Sequence, residues 1–571
     1  MKIFDRFGVT EEQLRALVAE GLRDGGDWCD LYFEDTAYHD LLLRDGVVGS
    51  GGYHVDFGCG IRVLKGEKTG YAYAETTDFA SLKSAARAAG SIASAAGAVA
   101  SASLHGSQGL QTSGVAGTLP PTASAGPSLL RSRGWLRSSD PTAASTPQTM
   151  ADTADGLSCI QASKTVAAPK TILKIGGFPG AEILVNGGDP LRSSGGDERS
   201  EVLSAWSTGW PGADYYPELE PWEKAEKADF VGFLQRIESG IRARDSRVLK
   251  VVAILSYSVS DVMMFNSLGE LTQDHRPLGS LSVQVIFRQG DRTENNIVSR
   301  SLRMGAEMIG EEVLEDLVSR AVEGMDARFE ARRPKGGQMS VVMGAGASGI
   351  LLHEAMGHAF EADFNRKGQS VFTDRMGQRI CRPGINILDD GTLPRSRGAC
   401  NFDDEGVPGQ KTYMVTDGVL TSYLHDRISA GYYGVAPTGN GRRESFRYNP
   451  IPRMRATYME SGPDGTREDL IGSVKKGIYV DQFANGQVKI GEGDFTFFVK
   501  SGFLIEGGRL TMPVKDINII GNGPQALADI VAVAGDLKID EGTWTCGKEQ
   551  SVAVSCGIPS VLIRSLTVGG E

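Results

Sequence analysis

Met339-Ser340-Val341-Val342-Met343 runs directly into Gly344-Ala345-Gly346-Ala347-Ser348-Gly349-Ile350-Leu351-Leu352-His353-Glu354-Ala355-Met356-Gly357-His358. The first five residues read as a short apolar strand, the glycines as a turn, and Ile350 onward as a helix. Two of the chain's seven histidines sit on that helix, with a glutamate directly after the first. His-Glu followed by a second His is the vocabulary of a metal-dependent hydrolase. The imidazoles hold an ion, and the carboxylate takes a proton from the water that the ion activates.

The spacing is unusual. In the common zinc-protease motif the histidines lie at i and i+4, about 40° apart around the helix. Here they lie at i and i+5, which at about 100° per residue sets them about 140° apart. A regular α-helix cannot aim both at one ion. A π-bulge can, because it adds a residue to the turn. The reading is therefore conditional: the helix is distorted between 353 and 358, with Gly357 the residue expected to accept the distortion, or the pair does not share a metal.

The same stretch carries a competing signal. Gly344, Gly346 and Gly349 form a literal G-x-G-x-x-G after a strand, with Glu361 and Asp363 at about the distance of a ribose-binding acid. Against it, Phe364-Asn365-Arg366-Lys367-Gly368-Gln369 is polar where a second buried strand is required, and the helix is occupied by His353, Glu354 and His358. Nucleotide-dependent redox chemistry is set aside on that ground.

Outward from this stretch, the 571 residues are 40% hydrophobic and 23% charged, enough for two or more domains with their own cores. A net charge of −12 gives no basic field for nucleic acid or an anionic membrane. No apolar run reaches the ~18 residues of a membrane span, and the N-terminus leads into an acidic helix rather than a signal core, so a cytoplasmic location is expected. Seven scattered cysteines, an odd number, do not make a disulfide framework and leave thiolates free for a metal.

The fold class expected is α+β: an N-terminal α+β domain followed by a mainly β domain that carries the motif helix near its start. Thr10-Glu11-Glu12-Gln13 looks like a capping box opening a helix, 30–43 and 58–74 read as antiparallel strands, and 80–95 as an alanine-rich helix. The texture changes near Ser91, and residues 91–212 are rich in Ala, Ser, Gly, Thr and Pro without sustained period, as expected of a low-complexity or anomalous insertion. Order resumes with a helix over 223–244, strands at 249–257 and 281–289, and one long helix over 307–329. Boundaries follow at 1–90 and 213–333 for the two parts of the first domain and 334–571 for the second.

A catalytic zinc site needs a third protein ligand. Spacing leaves His425, Cys381, Cys400, Cys546, Cys556 and many carboxylates open. His353-Glu354-Ala355-Met356-Gly357-His358, its flanks Leu351-Leu352 and Glu361-Ala362-Asp363-Phe364-Asn365-Arg366, and downstream Gly439-Asn440-Gly441-Arg442-Arg443, Lys476-Gly477-Ile478-Tyr479-Val480, Ile520-Gly521-Asn522-Gly523-Pro524 and Thr545-Cys546-Gly547-Lys548 together resemble the TldD branch of the TldD/PmbA metallopeptidase family. The resemblance spans nearly all of 215–571 and, more weakly, 1–90.

That resemblance implies a peptidase with His353, His358 and Cys546 as metal ligands and Glu354 as general base. Two imidazoles and a thiolate suit Zn²⁺, with iron the alternative by ligand type. It further implies a partner, a homologous PmbA-like subunit lacking the motif, and a cavity that admits small unfolded peptides by strand addition. Arg442 and Arg443 are candidates to hold a peptide carboxylate, with a solvated turn or subunit contact as the plainer reading, and His425 is a candidate oxyanion donor. Cys556 reads as a small buried residue. A non-catalytic peptide-binding scaffold is the alternative function, although a scaffold has no use for a general base.

Overall fold

A computed structural model describes residues 3–95, 101–104, 214–489 and 491–570. The insertion expected at 91–212 thus lies outside the described residues, apart from the end of one helix and a short strand.

Helix α1 covers Ile3–Phe7 and α2 Glu11–Leu22. The capping box at Thr10 is formed: its hydroxyl accepts from the Gln13 N–H at 3.2 Å, and Gln13 Oε1 accepts from the Thr10 N–H at 2.9 Å. Strands β1 (Trp28–Arg44) and β2 (Val47–Lys65) then make a long hairpin. Asp45-Gly46 turns it, both with positive φ (48° and 77°), the geometry that matches the twist of a two-residue hairpin. After β3 (Lys68–Ala74) comes helix α3 (Phe79–Ser94), and β4 (Ser101–Leu104) lies parallel to β3.

Helix α4 (Lys227–Arg244) precedes β5 (Val248–Asn266), β6 (Leu271–Gln289) and β7 (Arg292–Leu302), and α5 spans Glu311–Val322. One sheet collects all seven strands in the order β4-β3-β2-β1-β5-β6-β7, so β1 and β5 pair although a long segment separates them in sequence. Alternation on β6 buries Leu281, Val283, Val285 and Phe287 against Phe233, Leu234, Ile237 and Ile241 of α4 and Leu317 and Val318 of α5. A matching cluster joins α2 and α3 to β1 and β2 through Leu14, Leu17, Phe33, Ile61, Leu82 and Ala86.

Two expectations change here. The long helix at 307–329 is broken into α5 and Met325–Glu330, because Gly324 takes the left-handed conformation (φ 69°) that ends a helix. The strands at 249–257 and 281–289 are each about twice as long. Ser256, Ser258 and Ser260 hide the second half of β5 by diluting its apolar pattern, and β7 escaped notice because its start, Arg292-Thr293-Glu294-Asn295-Asn296, is polar as an edge strand is.

The second domain is mainly β, as expected. β8 (Gly337–Met343) sits inside a sheet, parallel to Lys476–Val488 on one side and antiparallel to Val561–Gly569 on the other. Being flanked on both sides, it buries Val341, Val342 and Met343 completely. A second sheet contains Ile387–Asp390, Ala456–Met459 and Ser555–Ile558. One apolar core spans both sheets and the motif helix, including Val341, Ile350, Leu352, Phe360, Ile387, Met454, Ile478 and Phe497. No helix among the described residues is long and apolar enough to cross a membrane.

Candidate metal centre

The chain leaves β8 through a turn that anchors on both sheets. The Gly344 N–H donates to Val480 O (2.8 Å) and the Gly346 N–H to Ile558 O (3.0 Å). Gly346 has φ 88°, open to glycine at little cost. A short helix, Gly349–Leu352, follows. A side chain at 349 would put its Cβ 2.7 Å from the Gly557 nitrogen, so this glycine lets the helix lie directly on the Ser555–Ile558 strand. These packing roles account for the nucleotide-like glycine pattern. The two acids that completed it are committed elsewhere, Glu361 to His358 and Asp363 to Lys548.

At His353 the helix widens. Residues His353–Gly357 form a π-helical turn in which the His358 N–H bonds to His353 O, five residues back. The extra residue brings both imidazoles to one side, with ring centroids 5.2 Å apart and planes at 82°. Gly357 serves differently from the expectation. Its backbone is ordinary helix (φ −57°, ψ −48°), but a Cβ there would stand 2.1 Å from the sulfur of buried Met454, so the glycine supplies space rather than conformational freedom.

The third donor comes from far down the chain. Cys546 lies on the strand Thr545–Lys548, hairpinned with Gln550–Ala553. Arg453, fully buried, holds that hairpin by donating to Cys546 O (2.6 Å) and Gln550 O (2.8 Å). Cys546 Sγ lies 3.1 Å from His358 Nε2, and one donor atom each from His353, His358 and Cys546 fall within 4.8 Å of one another. All three residues are buried, as is Glu354.

Electrostatics favour a thiolate. Burial alone raises the Cys546 thiol, but the charges of His358, Arg453 and His353 outweigh it and hold its pKa well below the ordinary range. For His358 burial opposes the charged form, yet Cys546 and Glu361 carry its pKa well above the usual imidazole value. Both ring nitrogens of His353 are buried and, among the described residues, have no hydrogen-bond partner that meets strict geometry. Such orphaned nitrogens are costly unless something meets them, and a thiolate beside two imidazoles is the donor set of a borderline-soft divalent ion. The residues present therefore fit a bound metal.

The other candidates are not among the converging donors. Cys556 is buried in its strand with its thiol pushed far up by burial, and burial likewise pushes Cys381 to about 12 and Cys400 to about 11. His425 packs against Tyr423 and Tyr433 with Nδ1 3.3 Å from the Ser429 hydroxyl, and burial lowers its pKa to about 4. Arg442 is no solvated turn residue: it is buried and donates to Met454 O and Ala553 O. Arg443 reaches Tyr71 Oη (3.1 Å) and Asp404 O (2.9 Å) and stacks on Tyr32.

Sequence reasoning missed the layer behind the donors. Glu361 Oε2 accepts from His358 Nδ1 (2.9 Å) and from Lys548 Nζ (3.1 Å). Burial resists its charge, but Lys548 and His358 hold its pKa at about 2, so it is a carboxylate. The spacing His358 to Glu361, i and i+3, was a visible signal for such a pair. Nothing local pointed from Glu361 to Lys548.

The chain is similar to known proteins over most of its length. Family models match residues 29–93 (PmbA/TldA metallopeptidase domain 1), 217–325 (central domain) and 336–570 (C-terminal domain). The chain is 33% identical over 550 residues to a metalloprotease TldD homolog of Haemophilus influenzae and 30% identical over 557 residues to one of Buchnera aphidicola, in each case covering 95% of this chain and 93% of the relative. Among solved structures, a Thermotoga maritima protein described as a candidate modulator of a DNA gyrase shares the fold (TM-score 0.65, 19% identity, 98% of this chain and 100% of that one). TldE from Thermococcus kodakarensis does so too (TM-score 0.63, 16% identity, 98% and 100%). With the models together covering both domains and relatives matching nearly end to end, the chain belongs to the PmbA/TldD metallopeptidase family.

Proposed function

We propose that the chain is a zinc peptidase that hydrolyses small unfolded peptides as one subunit of a two-subunit assembly. The observation that carries this is the convergence of His353, His358 and Cys546, with His353 presenting two orphaned nitrogens and a buried glutamate, Glu354, next in sequence. His353, His358 and Cys546 would hold a divalent ion, which when bound would supply Lewis acidity to a water and to the scissile carbonyl. Glu354 takes the proton from that water and returns it to the departing amine. An ion held there would take the place of the protons on Cys546 Sγ and the facing imidazole nitrogens, and keeping the thiol from oxidation fits a reducing, cytoplasmic setting.

The partner subunit is a homologue without the motif. The exposed apolar residues Val47, Val48, Tyr53 and Val55 on the β1–β2 hairpin offer a surface on which such a partner can dock. Arg442, Arg443 and His425, all committed to protein partners, we assign to supporting the loops around the centre rather than to gripping substrate. A scaffold reading has no use for the donor set or the acid beside it.

The experiment is metal content by elemental analysis on wild type and Cys546→Ala. About one zinc per wild-type chain, lost in the variant, is expected. Zinc retained in full by the variant excludes this ligand set.

A further inference from the structure

We infer that Glu361 and Lys548 are positioning residues that hold the His358 ring in the orientation presenting Nε2 to the centre and clamp the Cys546 strand onto the motif helix. The inference rests on the metallopeptidase reading and extends it to residues outside the ligand set.

Glu361 is fully buried and held on both sides. The Ala362 N–H bonds to Leu424 O (3.0 Å), and Asn365 Nδ2 donates to Glu361 O (3.0 Å). Its Oε2 faces His358 Nδ1, and a carboxylate can only accept, so Nδ1–H is the donor in that contact and Nε2 is the ring nitrogen turned toward Cys546 Sγ and the centre. The same oxygen receives Lys548 Nζ, which also reaches Asp363 Oδ1 (2.7 Å) and Pro452 O (3.1 Å). Lys548 is two residues beyond Cys546 on one strand, so both side chains leave the same face. A continuous path results: His358, Glu361, Lys548, then back along the strand to Cys546. Two ligands separated by 188 residues are tied to each other by contacts that need no ion. Arg453 completes the ring, bonding Cys546 O while its Nε stands 3.9 Å from Glu361 Oε1. Among the described residues His353 has no carboxylate partner of this kind, so the clamp acts on the centre through His358.

The test is zinc affinity by chelator competition, with the visible spectrum of the cobalt-substituted protein as a second readout. It is applied to wild type, Glu361→Ala, Glu361→Gln and Lys548→Met, each checked by circular dichroism. Glu361→Ala is expected to bind zinc about 10–100-fold more weakly, as loss of an outer-shell partner generally does. Glu361→Gln should fall between, because its amide oxygen still accepts from Nδ1, and Lys548→Met should weaken binding and alter the cobalt–thiolate band. A Glu361→Ala variant that binds as tightly as wild type overturns the inference. If that variant does not fold, Glu361→Gln decides: weakening of about threefold or more supports it, and wild-type affinity overturns it. Wild type without zinc affinity overturns the zinc-peptidase reading itself, so the two failures are distinguishable.

Discussion

Glu354 is the residue on which chemistry and ligation separate most cleanly. It neighbours a proposed ligand but is absent from the converging donor set, so its removal should leave metal binding intact. Glu354→Gln keeps the shape and removes the base. The expected result is wild-type zinc content with peptide turnover reduced on the order of 10²–10⁴-fold, the usual contribution of a general base. Turnover at the wild-type rate would reject the mechanism outright. Gly357 shows how a residue can be picked correctly for the wrong reason. Its absent side chain makes room for Met454, a contact 97 positions away that no local reading could see.

At the scale of elements, the N-terminal sheet contains a charged clasp with a definite pH signature. His275 on β6 lies opposite Asp261 on β5, with Nδ1 2.8 Å from its carboxylate and Nε2 3.0 Å from Glu218 in the segment leading to α4. The hydrogen bonds to Asp261 and Glu218 raise its pKa to about 10. The unfolded value is about 6.5, so the folded state binds the proton more tightly. Its contribution is full below about pH 6.5 and disappears as pH rises through about 10. The side chain is 46% exposed, and solvent screening limits the effect to the order of 1 kcal/mol. His275→Gln should therefore lower the denaturant midpoint near pH 6 and leave it unchanged above the folded pKa. A penalty that stays constant across that range would assign the residue a packing role only.

Across the whole molecule, the two domains meet through buried charge. Arg62 on β2 is fully buried between Asp30 on β1 (2.6 Å) and Glu405 of the second domain (2.6 Å). Beside it Arg276 on β6 pairs with Asp404 (2.6 Å), and the Phe446 N–H bonds to Glu34 (2.7 Å). Removing one member leaves buried carboxylates without compensation, which is strongly destabilising even where the intact network adds little. Arg62→Met should cost about 3–5 kcal/mol and separate the unfolding of the two domains, measured by denaturant titration with probes in each. A loss under about 1 kcal/mol with a single shared transition would show that apolar contacts alone join them.

Much of this was legible in the chain. The alternation of β6, the Thr10 capping box and the apolar run before Gly344 follow local rules, and local rules can be read from neighbours in sequence. The i, i+5 spacing of His353 and His358 made a π-helical turn the condition for sharing one ion, because no regular helix aims both rings at one point, and that turn is present. Tertiary structure alone decided the rest. Cys546 could not be chosen from spacing, since a cysteine's role depends on which of several buried thiols the hairpin at Thr545–Lys548 delivers to the helix. The same holds for Arg442, buried rather than solvated, and for the Glu361–Lys548 pair. These are long-range contacts between charged groups, and such groups carry no periodicity to announce where burial will place them.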